Sequence, residues 1–304
     1  MDDFISVLSR GAARASQGPV LITAGLAVGL IGALGLIQYS SWGADASSGT
    51  AGTAALLLVT AVTVVLPQLL LPFFLGGALG YAVEAADGGK PGWPTFVASG
   101  KRHYVSLFLA GIVAWLIFYL LALLLSLLIA VGTLALALLP LLALLGLAVM
   151  FIVLMFIEFY DIAIVADGAD FLRAFPASAG FVSRHLRPVL PFFIIVIAAK
   201  VIVQLPLFSA LFVRTVAELA ANYSLYNSTL ANGTFNETFA NSTLMATQAA
   251  PFSPVALLAI ALIQALAQAI AFAFLISYKA EFYHWARGIK KITDFDYDFS
   301  AESK

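Results

Sequence analysis

The sequence lacks cysteine, which excludes disulfide bonds, thiolate metal ligands and cysteine nucleophiles. Charged residues make up 10% of the chain, against about 25% in a typical soluble domain. Only three histidines are present, and no Gly-rich phosphate loop, G-x-S-x-G elbow or nucleic-acid-binding motif occurs. We therefore expect no enzymatic activity, no cofactor, no metal and no nucleic-acid partner.

Apolar residues make up 62% of the sequence, more than a soluble core can bury. Long apolar runs of the length that crosses a bilayer recur along the chain, so lipid must solvate much of this surface. The runs predict an all-α fold, a polytopic membrane helical bundle of about six transmembrane helices in one domain over residues 1–304. The expected helices are 20–39, 53–79, 104–129, 134–165, 189–213 and 254–278.

Lysine and arginine residues predict the orientation of these helices. With the N-terminus inside, nearly all of them fall in cytoplasmic segments, whereas the outside holds only Arg214 and Lys200 falls within a helix. The expected protein is thus a multi-pass protein of the cell membrane with both termini cytoplasmic, including the tail 279–304. A cleaved signal peptide, ending near Ala44-Asp-Ala46, is the alternative. The acidic start at Asp2 and the length of the first apolar run argue against it.

The segment 214–253 is predicted to be an extracytoplasmic loop that carries glycans. It contains a series of N-x-[ST] acceptor triplets, which are the N-glycosylation signal. The acceptors are Asn222, Asn227, Asn232, Asn236 and Asn241. The alternative is a merely polar loop rich in asparagine and threonine.

Two cytoplasmic segments resemble each other at near-constant spacing, which indicates an internal repeat. The shared order is a tyrosine, an Ala-Asp-Gly triplet and a Phe-x-Ala-Ser run, at Tyr81, 86–88 and 96–99 and again at Tyr160, 166–168 and 175–178. A looser third copy begins at Phe4, where the spacing of apolar residues predicts a helix lying in the membrane interface. We expect three units, each an interfacial helix plus a transmembrane hairpin.

These segments also carry a family resemblance. The runs Glu158-Phe-Tyr-Asp161, Arg184-His-Leu-Arg187 and Leu71-Pro-Phe-Phe-Leu-Gly-Gly resemble archaeal multi-pass membrane families of unknown function. They are distantly similar to the membrane domain fused to some glycerophosphodiester phosphodiesterases. The resemblance implies a helical membrane domain and no activity, because the sequence contains no phosphodiesterase domain.

Several polar residues are predicted near the bilayer midplane, where an ionisable group indicates a function by default. Lys200 lies about 16 Å into its helix at about 1.5 Å per residue, and Gln204 follows one turn later. The complete set is Lys200, Gln204, Gln68, Gln264 and Gln268. It predicts a site for an anionic solute or lipid headgroup, with interhelical hydrogen bonding as the alternative.

Glu158 and Asp161 are expected near the inner end of the fourth helix, on one face because they are three residues apart. We interpret them as ion-pair partners of cytoplasmic cations that fix the inner layer of the bundle. The candidate cations are Lys279, Arg184 and Arg187. A proton relay or metal site with His103, His185 or His284 is the alternative, although those histidines lack ligand spacing.

The sequence favours a non-enzymatic membrane scaffold or accessory subunit of a membrane complex, with membrane lipids and other protein subunits as partners. A transporter or lipid-handling protein is the second hypothesis, based on the repeat and the midplane set around Lys200. An intramembrane enzyme built on the inner carboxylates and histidines is the third.

Overall fold

The computed structural model describes residues 2–41, 65–134, 138–232 and 254–290, and every element in these ranges is helical. The all-α fold class is therefore confirmed for this part of the chain. The helices are α1 (Asp2–Gln17), α2 (Pro19–Ser41), α3 (Leu66–Ala86), α4 (Trp93–Leu134), α5 (Leu139–Ile157), α6 (Tyr160–Asp167), α7 (Phe171–Arg184), α8 (Leu186–Asn232) and α9 (Pro254–Lys290).

Five stretches of helix in the described residues are long and apolar enough to cross a membrane. They are Gln68–Ala86, Trp93–Gly132, Leu139–Asp167, Leu186–Leu205 and Leu258–Gly288. A sixth is obtained if Phe4–Ser16 and Pro19–Ala33, which meet at a bend of 80°, count as one span. The predicted number of about six spans is thus met by five or six candidates.

Several helix boundaries differ from those expected. Helix α4 contains 42 residues, about 63 Å at about 1.5 Å per residue, and it absorbs the interfacial segment expected before residue 104. The helix of the predicted span 134–165 is interrupted, because α5 ends at Ile157 and α6 begins at Tyr160, although Leu139–Asp167 remains one candidate span. The first part of the predicted span 53–79 lies outside the described residues.

The predicted loop 214–253 begins later than expected, because α8 continues to Asn232. Residues 217–221, Ala-Glu-Leu-Ala-Ala, are strong helix formers, and their propensity outweighs the polar composition on which the loop prediction relied. The remainder of that loop, residues 233–253, lies outside the described residues.

Ser178 bridges the break between α5 and α6. Its hydroxyl donates to the carbonyl of Phe156 at 2.7 Å and accepts from the amide of Phe159 at 3.1 Å. Both backbone groups lose their usual helical partners at the break, so the serine supplies the missing hydrogen bonds. Helix α6 ends at Asp167 and is capped by Gly168, whose φ of +67° is a left-handed conformation that favours glycine.

The chain divides into two compact units, which are considered separately. The first comprises Met1–Leu21, Pro72–Val196 and Ala273–Lys304. Its centre is a group of packed aromatic rings, in which the Phe192 centroid lies 4.4 Å from that of Phe282 and 5.1 Å from that of Phe159. All three side chains are fully buried, which holds α5, α6, α8 and α9 together at this point.

The second unit comprises Ile22–Leu71 and Ile197–Phe272, and small residues dominate its helix contacts. Gly25 and Gly29 of α2 lie directly against the backbone of Ala269 and Ala265 of α9, so close that a Cβ atom would collide with it. A glycine pair four residues apart allows two membrane helices to pack backbone to backbone.

Candidate functional site

Lys279 lies buried on α9 between two carboxylates of the first unit. Its ammonium group is 3.0 Å from a carboxylate oxygen of Glu158 and donates to both oxygens of Asp161, at 3.1 and 3.0 Å. It also donates to the main-chain carbonyl of Glu158 at 2.7 Å, a group at the break between α5 and α6. One cation thus joins α9 to both sides of that break.

Glu281, two residues further along α9, is buried and ion-paired to helix α1. Its carboxylate contacts the guanidinium of Arg14 and lies 3.4 Å from Nε of Arg10. The apolar face of α1 packs against the same region of α9, where the Phe4 ring meets those of Tyr278 and Phe282 edge-on. Glu281 therefore fixes α1 to α9 through charge as well as packing.

The next residues of α9 reach two aspartates at equivalent places in the chain. Asp167, at the end of α6, accepts from the Tyr283 hydroxyl at 2.6 Å and pairs with Arg287. Asp87, just after α3, lies 3.0 Å from Nδ1 of His284. Each aspartate precedes a glycine with positive φ, so the same local turn presents each carboxylate to α9.

We call Lys279, Glu281, Tyr283, His284 and Arg287, with their acidic and basic partners, the inner polar network. Each charge in this network is paired with a charge of opposite sign, and the pairs join neighbouring helices. This arrangement joins the helices through paired charges, and Glu158 and Asp161 share the Lys279 ammonium group.

The histidines do not assemble with the carboxylates into a metal site. His284 pairs with Asp87, and the His185 ring nitrogen contacts the carbonyl of Phe181 in its own helix at 3.0 Å. In the described ranges no group of three or more His, Asp or Glu side chains has the proximity that a metal ion requires. Of the cations proposed for Glu158 and Asp161, the structure brings Lys279 to them, while Arg184 and Arg187 are exposed.

The midplane residues are only partly brought together. In the second unit Gln264 is buried and donates to the side-chain oxygen of Gln204 at 3.2 Å, which joins α9 to α8. Gln268 lies half-buried against Gly32 of α2. Lys200 and Gln68 have exposed side chains, so the five residues do not form one enclosed site.

The acceptor asparagines fall into two groups. Asn222, Asn227 and Asn232 lie within α8, whereas Asn236 and Asn241 lie outside the described residues.

Sequence reasoning missed Glu281, Tyr283, Asp87 and Asp167. The repeated Ala-Asp-Gly triplet was the signal for the two aspartates, because it places them in matching turns. Nothing in the sequence indicates which α9 residue each contacts. That choice depends on the packing of the helices.

Comparison with known proteins gives a family match over nearly the whole chain. The model of a family described as a domain of unknown function, DUF7847, matches residues 3–285. No curated protein and no solved structure matches the chain.

Proposed function

The chain belongs to the DUF7847 family, whose description assigns no activity, and we propose that it is a non-enzymatic membrane scaffold or accessory subunit of a membrane complex. Membrane lipids and at least one other membrane protein are its proposed partners. The observation that carries this proposal is the surface position of Lys200, and the inner polar network supports it.

Lys200 lies within the candidate span Leu186–Leu205, and its side chain is exposed. Its neighbours Val201 and Ile202 are more than half exposed, so this surface is otherwise apolar. A charged group facing hydrocarbon costs several kcal/mol, at least about 2.5 on insertion scales. A neighbouring subunit that covers this surface and presents a carboxylate or carbonyl at this depth would lower that cost.

The inner polar network supports a structural role. Lys279 contacts both carboxylates that sequence reasoning had offered to an enzyme, and His284 is engaged by Asp87. Groups that already neutralise one another have little capacity to act on a substrate.

The finer topology is part of the proposal. We place both termini in the cytoplasm of a cell-membrane protein, on the bias of lysine and arginine, and the acceptor asparagines outside, where they carry glycans. We retain the internal repeat and the archaeal origin, with the distant likeness to the phosphodiesterase-linked membrane domain, as further hypotheses. The repeat is supported by the turns at Gly88 and Gly168 and by Ser99, which donates to the carbonyl of Gly76 as Ser178 does to that of Phe156.

The test is purification of the full chain from its native membranes in a mild detergent, followed by native mass spectrometry. We expect a stoichiometric complex larger than the 32.1 kDa chain, and we expect Lys200→Leu to release the other subunit. Lys101→Leu, which alters an exposed lysine of α4, is the matched control and keeps the complex. A chain that purifies alone or only with copies of itself contradicts the proposal.

Transport or lipid handling is the second candidate, and the hydrogen bond between Gln204 and Gln264 favours it. This pair is one turn from Lys200 and holds a buried oxygen, Oε1 of Gln264, that has no partner among the described residues. On this hypothesis Gln264→Leu would abolish retention of a co-purified small solute and leave the complex intact. Retention of the protein partner alone would support the scaffold instead.

A further inference from the structure

A cavity of about 280 Å³ opens beside the inner polar network, within the first unit. Its lining includes Arg14 and Gly18 at the junction of α1 and α2, Tyr81 of α3, Lys90 in the segment after α3, and Ser277 of α9. None of the preceding proposals uses this space.

We propose that this cavity binds a phosphate group, and that the phosphate belongs to the headgroup of an anionic membrane lipid. The inference concerns a site separate from Lys200 and does not depend on a protein partner.

Ser277 gives the first argument. The residue is 2% exposed, and its hydroxyl oxygen has no hydrogen-bond partner in the part of the chain that the structure describes. A buried hydroxyl without a partner is unfavourable, and such groups are normally satisfied by protein, water or a ligand. A phosphate oxygen in the cavity would accept a hydrogen bond from this hydroxyl.

The charges around the cavity give the second argument. Arg14 and Lys90 line it, and Arg10 lies behind Arg14. Three carboxylates lie nearby: Glu281 contacts Arg14, Asp87 is paired with His284, and the carboxylate of Glu84 approaches Gly89. None of the three is among the residues that line the cavity, so its charged lining side chains are both cations.

The direction of α2 adds to this charge. Gly18 immediately precedes α2, a helix of 23 residues, Leu21 belongs to its first turn, and both residues line the cavity. The N-terminal end of a helix carries a partial positive charge and favours anions, phosphates in particular.

The walls favour a lipid over a free anion. Leu21, Ala82 and Ala85 give the cavity an apolar side next to its cations. The cavity lies among candidate membrane helices, since Ala82 and Ala85 lie near the end of the span Gln68–Ala86 and Ser277 belongs to Leu258–Gly288. Basic pockets between membrane helices at the interface bind anionic headgroups. The volume is near the lower end of small-molecule sites, about 300 Å³, which suits a headgroup whose acyl chains remain in the bilayer.

The test uses the full chain, delipidated in detergent, with dioctanoyl phosphatidic acid, dioctanoyl phosphatidylcholine and inorganic phosphate as separate probes. The apparent dissociation constant is obtained from the rise in the thermal unfolding midpoint with probe concentration. We expect saturable binding of phosphatidic acid, weaker binding of phosphatidylcholine because of its cationic choline, and no comparable effect of inorganic phosphate.

Variants distinguish the cavity from adventitious lipid association. Lys90→Gln removes a charged contact and is expected to weaken phosphatidic acid binding about tenfold. Ser277→Ala is expected to weaken it about fivefold while leaving the lipid-free protein as stable or more stable, because an unpartnered hydroxyl is removed. Lys101→Gln and Ser183→Ala, which alter exposed residues away from the cavity, are the matched controls and bind as the original chain does.

Equal binding by Lys90→Gln, Ser277→Ala and the controls would overturn the proposal. Inorganic phosphate that stabilises the chain as strongly as phosphatidic acid, with the same sensitivity to both variants, would support the phosphate site and overturn its assignment to a lipid. Failure of all three probes would overturn both, whatever the outcome for the partner at Lys200.

Discussion

Lys279 donates to both carboxylate oxygens of Asp161 across 118 residues of sequence, at 3.1 and 3.0 Å. A carboxylate oxygen of Glu158 lies 3.0 Å from the same ammonium nitrogen, and all three side chains are nearly inaccessible to solvent. A cation shared by two buried acids joins α9 to the break between α5 and α6. Breaking this buried pairing therefore costs more stability than breaking an exposed ion pair does.

Replacement of Lys279 by methionine is therefore expected to lower the free energy of unfolding by about 3–5 kcal/mol, because two acids remain buried without their cation. The measurement is thermal or denaturant unfolding of the purified chain in detergent. The triple variant Lys279→Met, Glu158→Gln, Asp161→Asn removes all three charges together and should recover most of the loss. An unfolding midpoint of Lys279→Met equal to that of the original chain would contradict this account.

The close approach of α2 and α9 gives a second prediction, which concerns Gly25. A Cβ atom at this position would lie 2.5 Å from the carbonyl oxygen of Ala269, and backbone cannot yield as a flexible side chain does. Gly25→Ala is expected to lower the free energy of unfolding by about 1–3 kcal/mol. Gly111→Ala in α4 is the control, because nothing lies within 4 Å of its Cβ and helix propensity favours alanine. The idea fails if the two variants have equal stability.

The repeated serines give a third prediction. Ser99 donates to the carbonyl of Gly76 at 2.8 Å, whereas Ser178 both donates to Phe156 and accepts from Phe159. Ser99→Ala should cost about 1 kcal/mol of unfolding free energy, and Ser178→Ala more, because it also leaves a buried amide unpaired. Ser183→Ala, which loses one exposed bond within its own helix, should change little. Equal effects at all three positions would remove this support for the repeat.

The proposed orientation is testable by labelling, because the natural chain has no cysteine to give background. In the structure Leu172 of α7 is 67% exposed, which makes it suitable for a single cysteine. We expect Leu172→Cys to react with a membrane-impermeant maleimide only after the membrane is permeabilised. A cysteine at Asn236, in the segment assigned to the outside, should react in intact cells. The reverse pattern would invert the topology.

The spans were predictable because a long apolar run must be covered by lipid whatever its packing. The ends of these spans were less predictable. The segment before residue 104 is polar enough to suggest a separate interfacial helix, yet backbone hydrogen bonding continues through it from Trp93. Similarly, composition indicated a loop beyond residue 213, whereas helix-forming residues carry α8 to Asn232.

The candidate site was also only partly predictable from the sequence. Position along a helix gives the depth of Lys200 and Gln204 but not which neighbour each faces. The structure turns Gln204 to Gln264 and leaves Lys200 exposed. The sequence analysis did not single out Gly25 and Gly29, whose contact with α9 is known only from the structure.

The most direct test of the scaffold proposal is photo-crosslinking in native membranes, before any detergent is added. A photoreactive residue replaces Val201, which is 51% exposed and adjacent to the intact Lys200, and a control replaces Leu144, which is 66% exposed on α5. We predict one protein adduct of discrete mass from position 201, lost when Lys200→Leu is added, and only lipid adducts from position 144. Lipid adducts alone from both positions would contradict the claim that this surface is covered by another subunit.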